Sequence, residues 1–359
     1  MSRPKLPSIP DLPAALARRV EQIPPGRVAT CGALARSLGD PLAARWVGEE
    51  AWRRTESLMA PMALSTPPHR STGSGERGHA PPPWHRIVRA DGHLGPLSAD
   101  ARARKAALLV AEGLHICGDQ VELCEGLLLS RFRGRQPLER LREAQREIEL
   151  RVDVSSAGGA SPPARTGRSP AEPRRIAGVD VAYPARGQGR AALVTVDPTS
   201  GEAVYSRVVR RKVRFPYITS YLSFRELPLL LAVIDRAARD GQHPDILLVD
   251  GSGVLHPRGA GSASHLGVLI GRPTVGVTKK LLCGEVDIGD MAPGESRPVT
   301  REGRPFGLAL RPTAGSRRPI FISPGHLIDL AEAERVVRSV LLGRRLPEPI
   351  RLADRLAGG

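Results

Sequence analysis

The stretch Arg174–Tyr183, R-R-I-A-G-V-D-V-A-Y, decides how the rest of the chain is read. Ile176, Val179 and Val181 are apolar, while Ala177, Gly178 and Ala182 are small, which is the composition of a short central strand. One carboxylate, Asp180, sits in its middle. Burying an unpaired carboxylate is costly, so such a residue is protonated, paired with a cation or bound to a metal. A lone Asp at a strand end also caps turns, and that plainer reading holds until a second site of the same kind is found. Residues 245–253, D-I-L-L-V-D-G-S-G, supply it: the apolar run Ile246–Val249 delivers Asp250 into a Gly-rich turn. Two strands that each end in a carboxylate suggest a cation site built from oxygen ligands.

Downstream of Arg175 the pattern predicts strands first, at Ile176–Tyr183, Ala191–Val196 and Ala203–Val213. The third is long and basic (Arg207, Arg210, Arg211, Lys212, then Arg214), with valines interleaved. A helix is expected over Leu222–Arg239, a strand at Ile246–Asp250, a helix at Ser262–Ile270 and a strand at Thr274–Val277. Strands Phe306–Arg311 and Pro319–Ile322 precede a last helix, Ile328–Leu342. Antiparallel strands followed by alternating helix and strand is the order of a ribonuclease H-like α/β domain with a mixed sheet. Glu226, in P-Y-I-T-S-Y-L-S-F-R-E-L-P, lies in the first turns of the long helix, and in that layout it converges with Asp180 and Asp250. Hard oxygen ligands of this kind suit Mg²⁺ or Mn²⁺, and the cation offsets the repulsion among them. Lys279, in V-G-V-T-K-K, is placed to bring positive charge to a phosphate. His256 (L-H-P-R-G) and His326 (S-P-G-H-L-I-D) are candidate ligands, proton-transfer groups or phosphate contacts; a satisfied structural histidine is the plain alternative for each.

Upstream, Asp153–Glu172 is rich in Ser, Gly, Pro and Ala and is expected to be a flexible loop (153–172). Pro137–Val152 predicts a helix with a core stripe of Leu138, Leu141, Ile148 and Val152, and 114–135 has no clear pattern. Near the N-terminus a helix is expected over Leu12–Gln22 and a turn at Pro25-Gly26. Thr30 caps a helix through Leu38 that Gly39 stops, and Asp40-Pro41 starts another through about Arg53. Two short helices joined at a glycine fit a helix-turn-helix, and equally a small helical bundle. A Pro/Ser/Gly-rich run over 53–80 reads as a disordered loop, and Asp100–Glu112 as a helix. The resulting division is a small, mainly helical domain of the winged helix-turn-helix type at 1–116, a connector at 117–136 and an α/β domain at 137–355.

Lys and Arg total 53 against 37 Asp and Glu, a formal net charge of +16, with a pI near 10.8. That balance favours a polyanionic partner such as nucleic acid or an anionic membrane surface, although an Arg- and Ala-rich chain also follows from a GC-rich genome. No apolar run is long enough to span a membrane and the N-terminus has no signal-peptide core, so a cytoplasmic protein is expected. Cys31, Cys117, Cys124 and Cys283 form no C-x-x-C pair, which argues against structural zinc and a disulfide framework. Nothing in the sequence points to a protein partner.

Two resemblances follow from these blocks. I-P-P-G-R-V-A-T-x-G, P-x-A-A-R-x-V-G and P-W-H-R-I-V-x-x-D-G-x-L-G resemble the DNA-binding domain of alkylguanine-DNA alkyltransferases. Those enzymes carry P-C-H-R; here Trp84 takes the cysteine's place in Pro83-Trp84-His85-Arg86, as in alkyltransferase-like proteins, which bind damaged DNA without repairing it. The resemblance implies that Arg45 enters the base stack and that a flipped base lies beside Trp84 and Arg86. A packed core aromatic is the plain alternative for Trp84. Cys31 stands where the family usually has tyrosine, and the 53–80 loop is longer than the family needs. No alkyl transfer is expected.

Residues 137–352 resemble endonuclease V on A-G-V-D-V-A-Y, F-P-Y-I-x-x-Y-L-S-F-R-E, D-G-x-G-x-x-H-P-R, G-V-x-K and S-P-G-H. This implies that Asp180, Glu226 and Asp250 are the metal-binding and catalytic carboxylates. It also implies that Pro216-Tyr217-Ile218 is a wedge, with Tyr217 stacking into the gap left by a flipped deaminated base, above all hypoxanthine. Gly251 and Gly253 would let backbone approach that base. The family cuts at the second phosphodiester 3′ of the lesion. Thr219, where Pro commonly follows the wedge Ile, and Ser252 depart from the usual pattern. The expected function is a metal-dependent repair nuclease fused to a non-catalytic DNA-damage reader. A lesion-binding protein without nuclease activity and an inosine-specific ribonuclease are the alternatives.

Overall fold

The computed structural model describes residues 5–60, 81–155 and 175–359. Most of the loops expected at 53–80 and 153–172 lies outside the described residues. The chain divides into two compact units, Pro10–Arg140 and Leu141–Gly359 together with the N-terminal residues to Ile9. The division falls inside the helix expected at 137–152 rather than ahead of it.

In the first unit, helix α1 (Leu12–Val20) is capped by Asp11, whose side chain accepts from the Ala14 amide at 3.0 Å. Strand β1 (Ala29–Thr30) runs into α2 (Cys31–Ser37), where the Thr30 hydroxyl accepts from the Ala33 amide at 3.1 Å. Gly39, at φ +106°, ends it, because that left-handed backbone suits a residue without a Cβ. Asp40 caps a short 3₁₀ turn, Pro41–Ala43, that opens into α3 (Ala44–Met59). Helix α3 runs six residues past its expected end at Arg53, so residues 53–59 are helical rather than loop. The reason is a stripe at four-residue spacing: Val47, Ala51 and Thr55 are all fully buried. Strand β2 (Ile87–Val88) pairs in parallel with β1, and α4 (Ala99–Ala111) begins at a Ser98 cap. The unpatterned connector holds a small hairpin, β3 (Ile116–Cys117) and β4 (Gln120–Val121), turned at Gly118 with φ +59°. Val121 packs with Val28, Val88, Leu94, Leu109 and Leu114, so part of the expected connector belongs to this unit's core. Two-residue strands carry no readable periodicity, which is why the sequence does not announce them.

The second unit takes the C-terminal half of α5 (Pro137–Glu149) and is built on an eight-stranded mixed sheet. Strands β5 (Ile176–Ala182), β6 (Gln188–Val196) and β7 (Ala203–Lys212) form an antiparallel meander with β7 at the edge. Helix α6 (Leu222–Arg239) crosses to β8 (Ile246–Asp250), parallel to β5, and α7 (Ser262–Ile270) crosses to β9 (Thr274–Thr278), parallel to β8. Beyond β9 the direction alternates through β12, β11 and β10 (Ile320–His326, Arg304–Leu310 and Ser296–Arg301). Helices α6 and α7 cover one face through Leu227, Leu230, Val233 and Leu266. Helices α8 (Leu330–Ser339) and α9 (Glu348–Gly358) cover the other through Val336, Val337, Ile350 and Ala353. The ribonuclease H-like mixed sheet expected from the element order is thus the architecture observed; β10 and α9 are additions to it. Among the described residues no helix is long and apolar enough to cross a membrane.

Candidate active site

Register brings the first two carboxylates together. Val179 pairs with Val249 between parallel β5 and β8, so Asp180 and Asp250 follow at the same height and, by strand alternation, on the same face. Helix α9 lies over that face. Its first turn presses against β5 at Gly178, where an added Cβ would fall 2.2 Å from the Pro349 carbonyl carbon and 2.4 Å from the Ile350 nitrogen. The absent side chain therefore lets the helix backbone rest on the strand. One turn later α9 carries Asp354. Carboxylate oxygens of Asp180, Asp250 and Asp354 all lie within 4.8 Å of one another. Asp354 is a member of the cluster that the sequence reading missed. Its signal was present: Ile350, Ala353 and Ala357 make a helical stripe behind Pro347 and Pro349, and an acid on a stripe's flank points where the stripe docks.

Crowding and burial act on the cluster in the same direction. Asp180 is pushed up to about 7, first by desolvation and then by the Asp250 charge. Desolvation also raises Asp250, against the pull of Lys279, whose ammonium stands 3.3 Å from its Oδ2. Burial alone would lower Lys279, but Asp250 raises it on balance, so the lysine stays charged. Glu226 is buried on α6, and its Oε2 accepts from the Ser262 hydroxyl at 3.0 Å. Desolvation, with smaller contributions from Asp180 and Asp250, takes it up to about 8. Its oxygens are outside the set spanned by the three aspartates. The donor chemistry fits a hard divalent ion. Around an Mg²⁺ with ligands at about 2.1 Å, neighbouring oxygens stand about 3.0 Å apart and opposite ones about 4.2 Å, so the three carboxylates draw together to close on an ion. A cation there would relieve the repulsion that raises the carboxyl groups.

The remaining expected site residues are distributed as follows. Tyr217 is 59 % exposed, whereas Ile218 is buried at 2 % and Pro216 is half-buried. Of the wedge tripeptide, then, tyrosine projects and isoleucine anchors. The segment is held at both ends: Arg225 donates to the Phe215 carbonyl, and Arg258 lies 4.2 Å over the Tyr221 ring. His256 is buried, its Nδ1 accepts from the Arg258 amide at 3.1 Å, and desolvation takes it down to about 4, so the ring is neutral. Gly253 is buried, and a Cβ there would meet the Pro324 carbonyl oxygen, so its small size lets the loop pack on β12. Gly251 is half-buried beside Ser262. His326 is carried away from the cluster. β12 runs antiparallel to β9, so His326 pairs with Thr274 while Ile322 pairs with Val277, the neighbour of Asp250. Its Nδ1 instead accepts from the Asp153 amide at 3.2 Å.

In the first unit, Trp84 is only 3 % exposed, with the Arg54 guanidinium 5.7 Å from its ring, so it is a packed aromatic. Arg86 is committed inside the unit: it pairs with Glu112 at 2.8 Å and donates to the Ile23 carbonyl at 2.6 Å. Arg45 alone of the expected trio is free at the surface, its side chain 86 % exposed beside Glu49. Burial pushes the Cys31 thiol up to about 11, which keeps it protonated. Sequence reasoning also passed over Lys105, fully buried and donating to the Ile87 and Leu94 carbonyls at 2.6 Å each, under the Trp52 ring.

A ribonuclease H-like sheet that gathers acidic side chains beside a lysine defines a nuclease, a hydrolase of phosphodiesters. The comparisons with known proteins are specific. Residues 164–355 match the endonuclease V family model, and residues 12–114 match the DNA-binding domain of 6-O-methylguanine DNA methyltransferase. Endonuclease V from Azotobacter vinelandii is 43 % identical over 184 residues, 51 % of this chain and 81 % of the relative. That from Thermofilum pendens is 45 % identical over 185 residues, covering 51 % and 76 %. The crystal structure of the catalytic domain of human endonuclease V has 34 % identity and a TM-score of 0.55, covering 63 % of this chain and 96 % of that one. The chain belongs to the endonuclease V family, with an alkyltransferase-type DNA-binding domain ahead of the nuclease.

Proposed function

We propose that this protein nicks DNA on the 3′ side of deaminated bases, chiefly deoxyinosine, at the second phosphodiester, in a reaction that depends on Mg²⁺ or Mn²⁺. The observation that carries the reading is the carboxylate cluster of Asp180, Asp250 and Asp354, within 4.8 Å, beside Lys279, on the unit that also exposes Tyr217. When bound, the ion supplies Lewis-acid polarisation of the scissile phosphate. Asp180, Asp250 and Asp354 hold it. Lys279 sets a positive charge at the edge of the cluster, where negative charge develops on the phosphate. Glu226, its Oε2 fixed by Ser262 and its carboxyl raised chiefly by burial, is the proton-transfer group of this reading. Tyr217 fills the stack that the flipped base leaves, while buried Ile218 gives it a fixed base.

The N-terminal unit, Pro10–Arg140, acts as a DNA-binding module without alkyl transfer, and the nuclease is the unit that takes up at Leu141. Arg45 is the module's exposed contact; Trp84 stands where the alkyl-accepting cysteine would be, and Cys31 is held protonated. Linkage to a DNA-binding module raises the effective concentration of the nuclease at a site the module holds. The test is nicking of matched inosine-containing and undamaged duplexes, with Mg²⁺ and with chelator. Nicking of the inosine strand that is lost in chelator and in Asp180→Ala supports the reading; chelator-resistant nicking, or nicking by Asp180→Ala, refutes it.

A further inference from the structure

Edge strand β7 sorts its cations by face. Odd-numbered residues turn toward α6: Arg207 pairs with Asp240 at 3.3 Å, and the Tyr205 hydroxyl donates to the same carboxylate at 2.7 Å. Even-numbered residues turn to the opposite face, where Ser206, Val208, Arg210 and Lys212 are exposed. Among the described residues Arg210 and Lys212 have no ion-pair partner. That face is also the face of the carboxylate cluster. Ala182 pairs with Arg190 on β6, and Arg190 with Arg210 on β7, so these form one row across the sheet. Asp180 stands two residues back along β5. With strands about 4.8 Å apart and residues about 3.3 Å along them, Arg210 lies roughly 12 Å from Asp180, about three or four base pairs of duplex rise. Lys212 ends β7, and Arg214 and Tyr217, both exposed, follow it in the chain.

We infer that the even-numbered face of β7, through Arg210 and Lys212, is a phosphate-binding strip that holds the nucleic-acid backbone flanking the cleavage site. The inference rests on the nuclease reading above and extends it to residues outside the carboxylate centre. Two features select a nucleic-acid backbone as the occupant. The cations are unneutralised and two residues apart on one face, so they repeat along the strand and complement a line of like anionic groups. The row that carries Arg210 runs from the strand that bears Asp180. An acidic protein or an anionic membrane would meet the same charges, but neither accounts for the shared face.

The experiment uses the full chain and an inosine-containing duplex. Binding is measured in chelator across about 50 to 200 mM salt, and nicking under single-turnover conditions with Mg²⁺. Each lost phosphate contact lowers the slope of log affinity against log salt by about 0.9. The double variant Arg210→Ala/Lys212→Ala is expected to lose close to two contacts, so its affinity falls about tenfold less over that salt range than wild type. Its nicking rate at saturating enzyme is expected to match wild type. Arg207→Ala, which removes a cation already paired with Asp240, is expected to leave the slope unchanged. An unchanged slope in the double variant overturns the strip, as does a fall in the saturated nicking rate. Failure of the wild-type protein to nick inosine strands would instead count against the parent reading, while the salt slope would still report on the strip.

Discussion

Gly178→Ala tests how the third aspartate is delivered. Gly178 and Asp180 face α9 from the same side of β5, two residues or about 6.6 Å apart. On α9, Ile350 and Asp354 are four residues or about 6 Å apart. The near-equal advances explain why a helix seated at Gly178 brings Asp354 over Asp180. An alanine Cβ would lie 2.2 Å from the Pro349 carbonyl carbon, where ordinary contact begins at 3.4 Å. The obstacle is backbone, not a side-chain tip that can swing aside, so α9 must retreat by about 1 Å or more. Overpacking of this kind costs about 1–3 kcal/mol. Misplacing a reacting group by about 1 Å costs on the order of 10²-fold in rate. Thermal melting and single-turnover nicking of an inosine duplex, the latter well below the variant's melting point, read the two effects separately. Asp354→Asn is the companion variant: it is expected to lose nicking while melting at or above the wild-type temperature. A Gly178→Ala protein that melts and nicks like wild type would refute the docking argument, and normal nicking by Asp354→Asn would remove the aspartate from the site.

Further outcomes follow from the same geometry. In chelator, Asp180 and Glu226 sit at about 7 and about 8, above the ordinary carboxylate values, so their contribution to stability is full at acid pH and is lost as pH rises through that window. At about 1.4 kcal/mol for each pH unit, holding Asp180 ionised above pH 8 costs the metal-free fold on the order of 4 kcal/mol. Melting temperature in chelator should therefore fall between about pH 5 and pH 8, Mg²⁺ should restore it most at the alkaline end, and Asp180→Asn should flatten both responses. Tyr217→Ala should leave melting unchanged, since the ring is 59 % exposed, and weaken binding to inosine duplexes by about 1–3 kcal/mol without equal loss on undamaged DNA. Ser220 holds a left-handed backbone at φ +66°, so Ser220→Gly should stabilise the nuclease unit by about 1 kcal/mol in denaturant titration. Lys105→Met should destabilise the N-terminal unit by at least about 2 kcal/mol, because it strands the Ile87 and Leu94 carbonyls; melting of the full chain with separate probes for the two units would show it.

Elements bounded by local chemistry were legible in the sequence. Leu222–Arg239, Ile246–Asp250 and Ser262–Ile270 have the bounds expected for them, because periodicity, turns and glycines mark their ends within a few residues. Helix α9 was not expected: its eleven residues hold only a short apolar stripe, and their place in the core depends on a glycine 170 residues earlier. His326 shows a different limit. S-P-G-H is as conspicuous a motif as D-G-S-G, but the direction in which its strand enters the sheet decides which end of the molecule receives the histidine, and a motif carries no direction. The antiparallel pairing of Ile322 with Val277 settles it four residues before His326 is reached.

The N-terminal unit separates a family signature from the surface that signature implies. Pro83-Trp84-His85-Arg86 is read from sequence as a contact with a flipped base, yet its aromatic is 3 % exposed and its arginine is spent on Glu112 and the Ile23 carbonyl. A ring buried against Arg54 has no face to offer a base unless the core around it opens, and opening would also break the Glu112 pairs of His85 and Arg86. Arg45 needs no such opening, since its ion-pair contact among the described residues is an exposed one with Glu49, of the sort worth well under about 1 kcal/mol. Truncating each side chain distinguishes the two uses. Arg45→Ala should weaken DNA binding by this unit with no change in melting, whereas Trp84→Ala should lower melting by the several kcal/mol of an emptied aromatic site. If Trp84→Ala melted normally and lost binding to alkylated duplexes alone, the tryptophan would be a lesion contact after all, and its burial a state that DNA reverses.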